Sequence, residues 1–151
     1  MATDTEGVRA AKVWLQNEGY TNVEQINHPV DLCANKGGRK FWIEVKYTET
    51  EEESYFGAAT TTEWECALDN PDTFFFLIAK KPGGVGENSF WDFELITPEE
   101  FIKYSTIVPF KIYFTLPLSR PRSPPNRRSA IQATEQNLRA SIDFLKTLRS
   151  N

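Results

Sequence analysis

The stretch that decides the fold is His28-Pro29-Val30-Asp31-Leu32-Cys33-Ala34-Asn35-Lys36-Gly37-Gly38-Arg39-Lys40-Phe41-Trp42-Ile43-Glu44-Val45-Lys46. Gly37-Gly38 separates two runs of strand-like composition, and a Gly-Gly pair suits a two-residue hairpin loop that needs positive φ. With that loop, Lys36 opposes Arg39 and Asp31 opposes Glu44. Side chains alternate along a strand and opposed residues share a face. Asp31, Cys33, Trp42, Glu44 and Lys46 then point one way, while Val30, Leu32, Ala34, Phe41, Ile43 and Val45 point the other way, into a core. A four-residue loop would shift the register and keep the faces; a three-residue loop would flip them.

Two carboxylates opposed on a sheet repel each other, and without compensation one of them must titrate upward. A hard cation such as Mg²⁺ removes the conflict, because it takes oxygen ligands and keeps waters for chemistry. Lys46, two residues beyond Glu44, is placed to orient an attacking water or to neutralise charge developing on a phosphate. This pattern points to phosphodiester hydrolysis at a divalent-metal site. The alternative is structural: Lys46 forms a salt bridge with Asp31 and Glu44 and does no chemistry.

Outward from the hairpin, an amphipathic helix is expected over 5–18, with Val8, Ala11, Trp14 and Leu15 on one stripe and Gly19 as its stop. A first strand follows over 21–26. After the hairpin, a loop runs to Ala59 and a short helix over 61–69 buries Trp64, Ala67 and Leu68. Thr73-Phe74-Phe75-Phe76-Leu77-Ile78-Ala79 is apolar throughout, which suits a central strand covered on both faces. Lys81-Pro82-Gly83-Gly84-Val85-Gly86 reads as a turn, Phe90 to Ile96 as a strand, and Thr97-Pro98-Glu99-Glu100 as a helix start with Thr as N-cap. Phe110, Ile112, Phe114 and Leu116 alternate with polar residues in a half-buried strand, and Pro109 suggests an edge or a strand start. A Pro/Arg-rich loop over 117–128 leads to a long C-terminal helix over 129–149. Its apolar stripe, Ile131, Leu138, Ile142 and Leu145, either covers the core or pairs with a second copy.

The order Asp31, hairpin, Glu44-Val45-Lys46 on an apolar strand, helix, apolar strand resembles the PD-(D/E)xK nuclease superfamily and its restriction-endonuclease-like fold. The resemblance spans about residues 5–81, roughly half the chain. It is nearest to Mrr-like restriction domains and to the nuclease-like domain named after the NO VEIN protein. There, Glu-Val-Lys is followed by a Thr-rich step into a helix carrying a Glu, as in Thr60-Thr61-Thr62-Glu63-Trp64. One departure is that proline stands at Pro29 and not directly before Asp31. The resemblance implies an α/β fold with a mixed central sheet and flanking helices, extended here by extra C-terminal strands and the C-terminal helix. It implies that Asp31, Glu44 and the Val45 backbone carbonyl hold Mg²⁺, with Mn²⁺ able to substitute, and that Lys46 is the catalytic lysine. Some branches add a carboxylate from the first helix, for which Glu6 is the candidate; its other reading is a favourable charge at a helix N-terminus. Glu63 is an auxiliary candidate and equally the fourth residue of a Thr60-x-x-Glu63 capping box. Trp42 either stacks on a base or is covered by a neighbouring helix.

The 151 residues fit one domain, 1–151, with a sizeable core. No basic-plus-apolar leader and no membrane-length apolar run is present, so an intracellular, cytoplasmic protein with no membrane partner is expected. Cys33 and Cys66 lack metal-type spacing and are expected reduced. His28 is the sole histidine, which leaves zinc chemistry without ligands. The net charge of −4 looks wrong for a nucleic-acid binder, but residues 1–118 hold ten Lys/Arg against nineteen Asp/Glu, and residues 119–151 hold seven against two. Arg120, Arg122, Arg127 and Arg128 begin that basic part and either grip phosphates or belong to a solvated linker. Glu49-Thr50-Glu51-Glu52-Glu53 would repel a phosphate backbone and is expected to be an exposed loop away from the groove, or a gate. The expected function is a Mg²⁺-dependent DNA endonuclease in restriction or anti-phage defence, acting as a homodimer or as a domain of a larger protein. The alternative is an inactive module of the same fold that binds nucleic acid or a protein.

Overall fold

The computed structural model describes residues 6–81, 91–108, 111–121, 139, 140, 142 and 143. Helix α1 (Glu6–Asn17) buries Val8, Ala11 and Leu15 and is followed by Gly19 at φ 92°. Strands β1 (Thr21–Gln25), β2 (Leu32–Lys36) and β3 (Arg39–Thr48) form an antiparallel meander. The Gly37-Gly38 loop has φ of 58° and 75°, and the register pairs Lys36 with Arg39 and Leu32 with Ile43, as the two-residue loop requires.

From β3 the chain passes through β4 (Ser54–Ala59) and α2 (Thr61–Asp69) before returning as β5 (Phe74–Lys80), which pairs parallel to β3. Strand β6 (Asp92–Ile96) pairs antiparallel to β5 and completes a mixed sheet of order β1-β2-β3-β5-β6. Helix α3 (Pro98–Ile102) follows, capped by Thr97, whose hydroxyl accepts the Glu100 N–H. Strands β7 (Ser105–Val108) and β8 (Lys111–Pro117) join β4 in a second sheet of order β4-β8-β7.

Strand β5, apolar from Phe74 to Ala79, is buried on both faces. On one face Val8, Ala11 and Leu15 of α1 pack with Leu32, Ala34, Ile43, Val45, Leu77 and Ala79. On the other face Phe74, Phe76 and Ile78 pack with Trp64 of α2, Phe101 of α3, and Ile112, Phe114 and Leu116 of β8. Phe101 is the hinge of this second core, with ring centroids 3.9 Å from Phe76 and 4.5 Å from Phe114. No helix among the described residues is long and apolar enough to cross a membrane.

The structure corrects or decides four points of the sequence reading. Residues 54–59 are a strand and not loop; with Gly57 and two alanines, the segment carries little strand propensity of its own and is held by pairing with β8. Strand β8 is central in its sheet and begins at Lys111, which agrees with the strand-start alternative and not with the edge. Val30 packs with Trp64 and not with Leu32, because β2 begins at Leu32 and the alternation does not reach back to it. The face bearing Glu44 and Lys46 is covered by α2 and the second sheet, so both residues are buried. The expected helix over 129–149 falls largely outside the described residues. Its described positions 139, 140, 142 and 143 are helical, and Ile142 packs in the Phe101 core.

Gly57 is needed for closeness. A Cβ there would come within 2.5 Å of Phe114 Cζ and 3.1 Å of Tyr55 Oη. Phe114 is wedged between Phe101 and Tyr55 and has no room to yield. Gly57→Ala is therefore expected to destabilise the protein by about 1–3 kcal/mol through overpacking, read as a lower urea midpoint with an unchanged slope.

Candidate active site

The meander brings Asp31 to Glu44 as the register demands. Asp31 lies one residue before β2, and its backbone N–H donates to Glu44 Oε2 at 3.2 Å. Its own Oδ2 accepts the Val45 N–H at 3.0 Å. In an extended strand a residue's carbonyl points to the same side as its N–H, so the Val45 carbonyl also faces the Asp31 edge.

Lys46 lies beside this pair. Its Nζ donates to Glu44 Oε1 at 3.1 Å and to Glu63 Oε2 at 2.9 Å. Glu63 is held by the start of α2: its Oε2 also accepts the Thr60 N–H at 3.0 Å, and its own N–H donates to Thr60 Oγ1 at 3.2 Å. The capping-box reading of Glu63 holds, and the same carboxylate also accepts from Lys46. The structural alternative pairs Lys46 with Asp31 and Glu44; its ion pairs are with Glu44 and Glu63, and its charge reaches Asp31 without a contact, lowering that carboxyl's pKa.

Three carboxylates and one ammonium share this space, with Glu44, Glu63 and Lys46 buried and Asp31 half-buried. Burial is the largest influence on Glu44 and raises its pKa; Lys46 pulls it back, Glu63 and Asp31 push it up again, and the balance is about 8. Asp31 is raised by burial and by Glu63, against the Val45 N–H and Lys46. For Lys46, burial works against the ammonium, but Glu44 and Glu63 outweigh it and hold the pKa above the ordinary lysine value.

Tyr55 was not legible as part of this neighbourhood. Its half-buried phenol, delivered by β4, is raised by burial and lowered by the charge of Lys46.

The remaining candidates are placed elsewhere. Glu6 stands at the start of α1, paired with Lys81 Nζ at 3.0 Å, and the structure does not bring it to the cluster. Trp42 shares the face of Glu44 but is half-buried against the core, with Lys40 Nζ 4.3 Å from its ring centroid. Glu49 bonds the Tyr47 hydroxyl and approaches Lys81. Cys33 and Cys66 are buried free thiols. Arg122, Arg127 and Arg128 lie outside the described residues.

Arg120 is turned inward. Its guanidinium meets Glu94 at 2.7 Å and Glu100 at 3.5 Å, donates to the Pro117 carbonyl, and lies over the Tyr104 ring. Its side chain is 6% exposed, so it is engaged in the fold and not presented to a phosphate. Arg120→Ala leaves Glu94 and Glu100 without that cation. It is expected to cost about 3–5 kcal/mol of stability, read by thermal or urea unfolding, and to leave the salt dependence of nucleic-acid binding unchanged.

Residues 6–84 match the family model described as Protein NO VEIN, C-terminal, which covers more than half of the chain. The chain belongs to this family. The matched region of the NO VEIN C-terminal domain runs from α1 through β5 and holds Asp31, Glu44, Lys46 and Glu63 together with every element that positions them. Membership is compatible with a nuclease-like domain, and the second sheet's β7 and β8 lie beyond the matched residues. No curated protein matches the chain at a significant level.

Proposed function

We propose that this NO VEIN C-terminal domain is a Mg²⁺-dependent nuclease of PD-(D/E)xK type, with DNA as its substrate and restriction or anti-phage defence as its setting. One observation carries the reading: Asp31 and Glu44 meet across the mouth of a hairpin with a buried ammonium, Lys46, against them. A purely structural ion pair needs one acid per base, yet this cluster sets two carboxylates on one lysine with Asp31 beside them, and Glu44 is pushed up to about 8. Without a cation Glu44 keeps its proton up to about pH 8, and a divalent cation is what would let it ionise below that.

The donor set fits a hard cation. Among the described residues no group of three or more His, Cys, Asp or Glu side chains is disposed to hold a metal. The protein ligands would be the two carboxylates of Asp31 and Glu44 plus the Val45 carbonyl, and such a partial oxygen set suits Mg²⁺, which keeps several waters. When bound, the ion supplies Lewis acidity toward the phosphate and a more acidic water.

The chain's own groups do the rest. The Val45 N–H fixes Asp31, and the Asp31 N–H fixes Glu44, so the carboxylates are oriented before substrate arrives. Lys46 remains protonated, held by Glu44 and Glu63, and offers positive charge where a pentavalent phosphorane accumulates negative charge. Glu63 positions that ammonium and is itself locked by Thr60. A second reading, a module that binds without cutting, is favoured by the closure of Lys46 between two carboxylates. A cleavage panel separates the two. Wild type and Lys46→Ala are compared with Mg²⁺ or Mn²⁺ on methylated and unmethylated plasmid, single-stranded DNA and RNA. Metal-dependent cutting by wild type alone supports the nuclease; binding without cutting by either protein supports the second reading.

A further inference from the structure

The site face of β3 continues past Glu44 toward the hairpin tip. Lys40, Trp42, Glu44 and Lys46 alternate along it, and burial falls off in that order reversed: Lys46 and Glu44 are buried, Trp42 is half-buried and Lys40 is exposed. The strand is thus a ramp from the carboxylates out to solvent, ending on a cation. Lys40 is not a freely waving side chain, since its ammonium rests 4.3 Å from the centre of the Trp42 ring. Contact with an indole face holds an ammonium in place while leaving its hydrogens for another partner. Directly opposite Lys40 on β2 is Asn35, half-buried on the same face, whose amide is a further donor. The other two cations of the tip, Lys36 and Arg39, lie over Tyr20 and Phe41 on the opposite face. Glu24 on β1 is paired with Cys33, which is opposite Trp42, and Asp72 lies two residues before Phe74, the β5 partner of Trp42.

We propose that Lys40, braced on Trp42 and seconded by Asn35, is a phosphate anchor that holds the substrate strand along β3, away from the scissile phosphate. Four residues of extended strand place Lys40 about 13 Å from Glu44, within reach of phosphates flanking the scissile one. The anchor fixes the substrate class as a polynucleotide and not a mononucleotide or small phosphate ester, because a small ester could not span both points. It rests on the nuclease reading for the position of the scissile phosphate, but it is tested by binding alone.

The test measures affinity of the full chain for labelled single-stranded DNA, duplex DNA and RNA of one sequence. EDTA is present so that no strand is cut, and salt is varied. Lys40→Gln is expected to lower the slope of log affinity on log salt by about 0.7 for a single strand or about 0.9 for a duplex. At about 0.1 M salt that one lost contact weakens binding about five- to eight-fold. Lys40→Arg should restore the slope, and Lys12→Gln, an equal charge change on α1 across the sheet, should leave it untouched. A Lys40→Gln slope equal to wild type overturns the anchor even if the protein cuts. A lowered slope in a protein that never cuts with any metal keeps the anchor and overturns the nuclease. A wild type that binds none of the three polymers overturns both.

Discussion

Lys46→Met is expected to lower metal-dependent cleavage by about 10²–10³-fold while binding in EDTA changes little. The substitution keeps the length and volume of the side chain and removes only the ammonium. In the folded protein that ammonium is the one described cation in contact with Glu44 and Glu63. Removing it leaves two buried carboxylates facing each other, a defect of about 3–5 kcal/mol when both are charged. The protein can escape part of that cost by protonation, since Lys46 holds the Glu44 pKa down and its loss lets it rise further. The variant should therefore be closer to wild-type stability at mildly acidic pH than at alkaline pH, and its cleavage should be assayed where unfolding curves show it folded. Cleavage retained within about three-fold of wild type in a folded Lys46→Met protein would falsify the catalytic role. A companion, Glu63→Gln, keeps the capping hydrogen bonds and loses one charge next to the lysine. It should lower activity less than Lys46→Met while leaving α2 intact.

Much of this arrangement was legible because it is local. Gly37-Gly38 fixed the register of the hairpin, and that register places Glu44 opposite Asp31 whatever the rest of the chain does. The apolar run from Phe74 to Ala79 marked a strand covered on both faces, and Thr97-Pro98 and Thr60-x-x-Glu63 marked two helix starts. What the sequence hid depends on long-range pairing. Ser54-Tyr55-Phe56-Gly57-Ala58-Ala59 becomes a strand only through β8, about sixty residues away, and so neither the second sheet nor Tyr55 beside Lys46 could be seen. Arg120 looked like a surface cation because its proline-rich neighbours are polar; its partners Glu94 and Glu100 are brought to it by tertiary packing. Lys46 could be assigned to the site face but not to its partner, since Glu63 arrives from α2.

One proton on Glu44 should drive metal-free stability and metal affinity in opposite directions. Its carboxyl is raised from 4.5 to about 8 in the folded protein, first by burial. Between those values the folded state holds a proton that the unfolded chain has released, so stability is fully present below the lower value and is lost as pH rises toward the upper one. The slope contributed by this group is at most about 1.4 kcal/mol per pH unit. Lys46 works in the same direction only at higher pH: its raised pKa contributes stability that fades above the ordinary lysine range. Urea unfolding of wild type in EDTA should thus show stability falling between about pH 5 and about pH 8, and Glu44→Gln, which cannot titrate, should flatten that fall. Metal binding needs the carboxylate, so the apparent affinity for Mn²⁺ should rise by up to ten-fold per pH unit below about 8 and level off above it. Excess Mg²⁺ should then reverse the alkaline loss of stability, because it binds the folded state with Glu44 ionised. A flat stability profile in wild type would mean that Glu44 is already ionised without metal. In that case the three carboxylates are balanced by Lys46 and solvent alone, and the electrostatic argument for a cation at Asp31 and Glu44 loses its force.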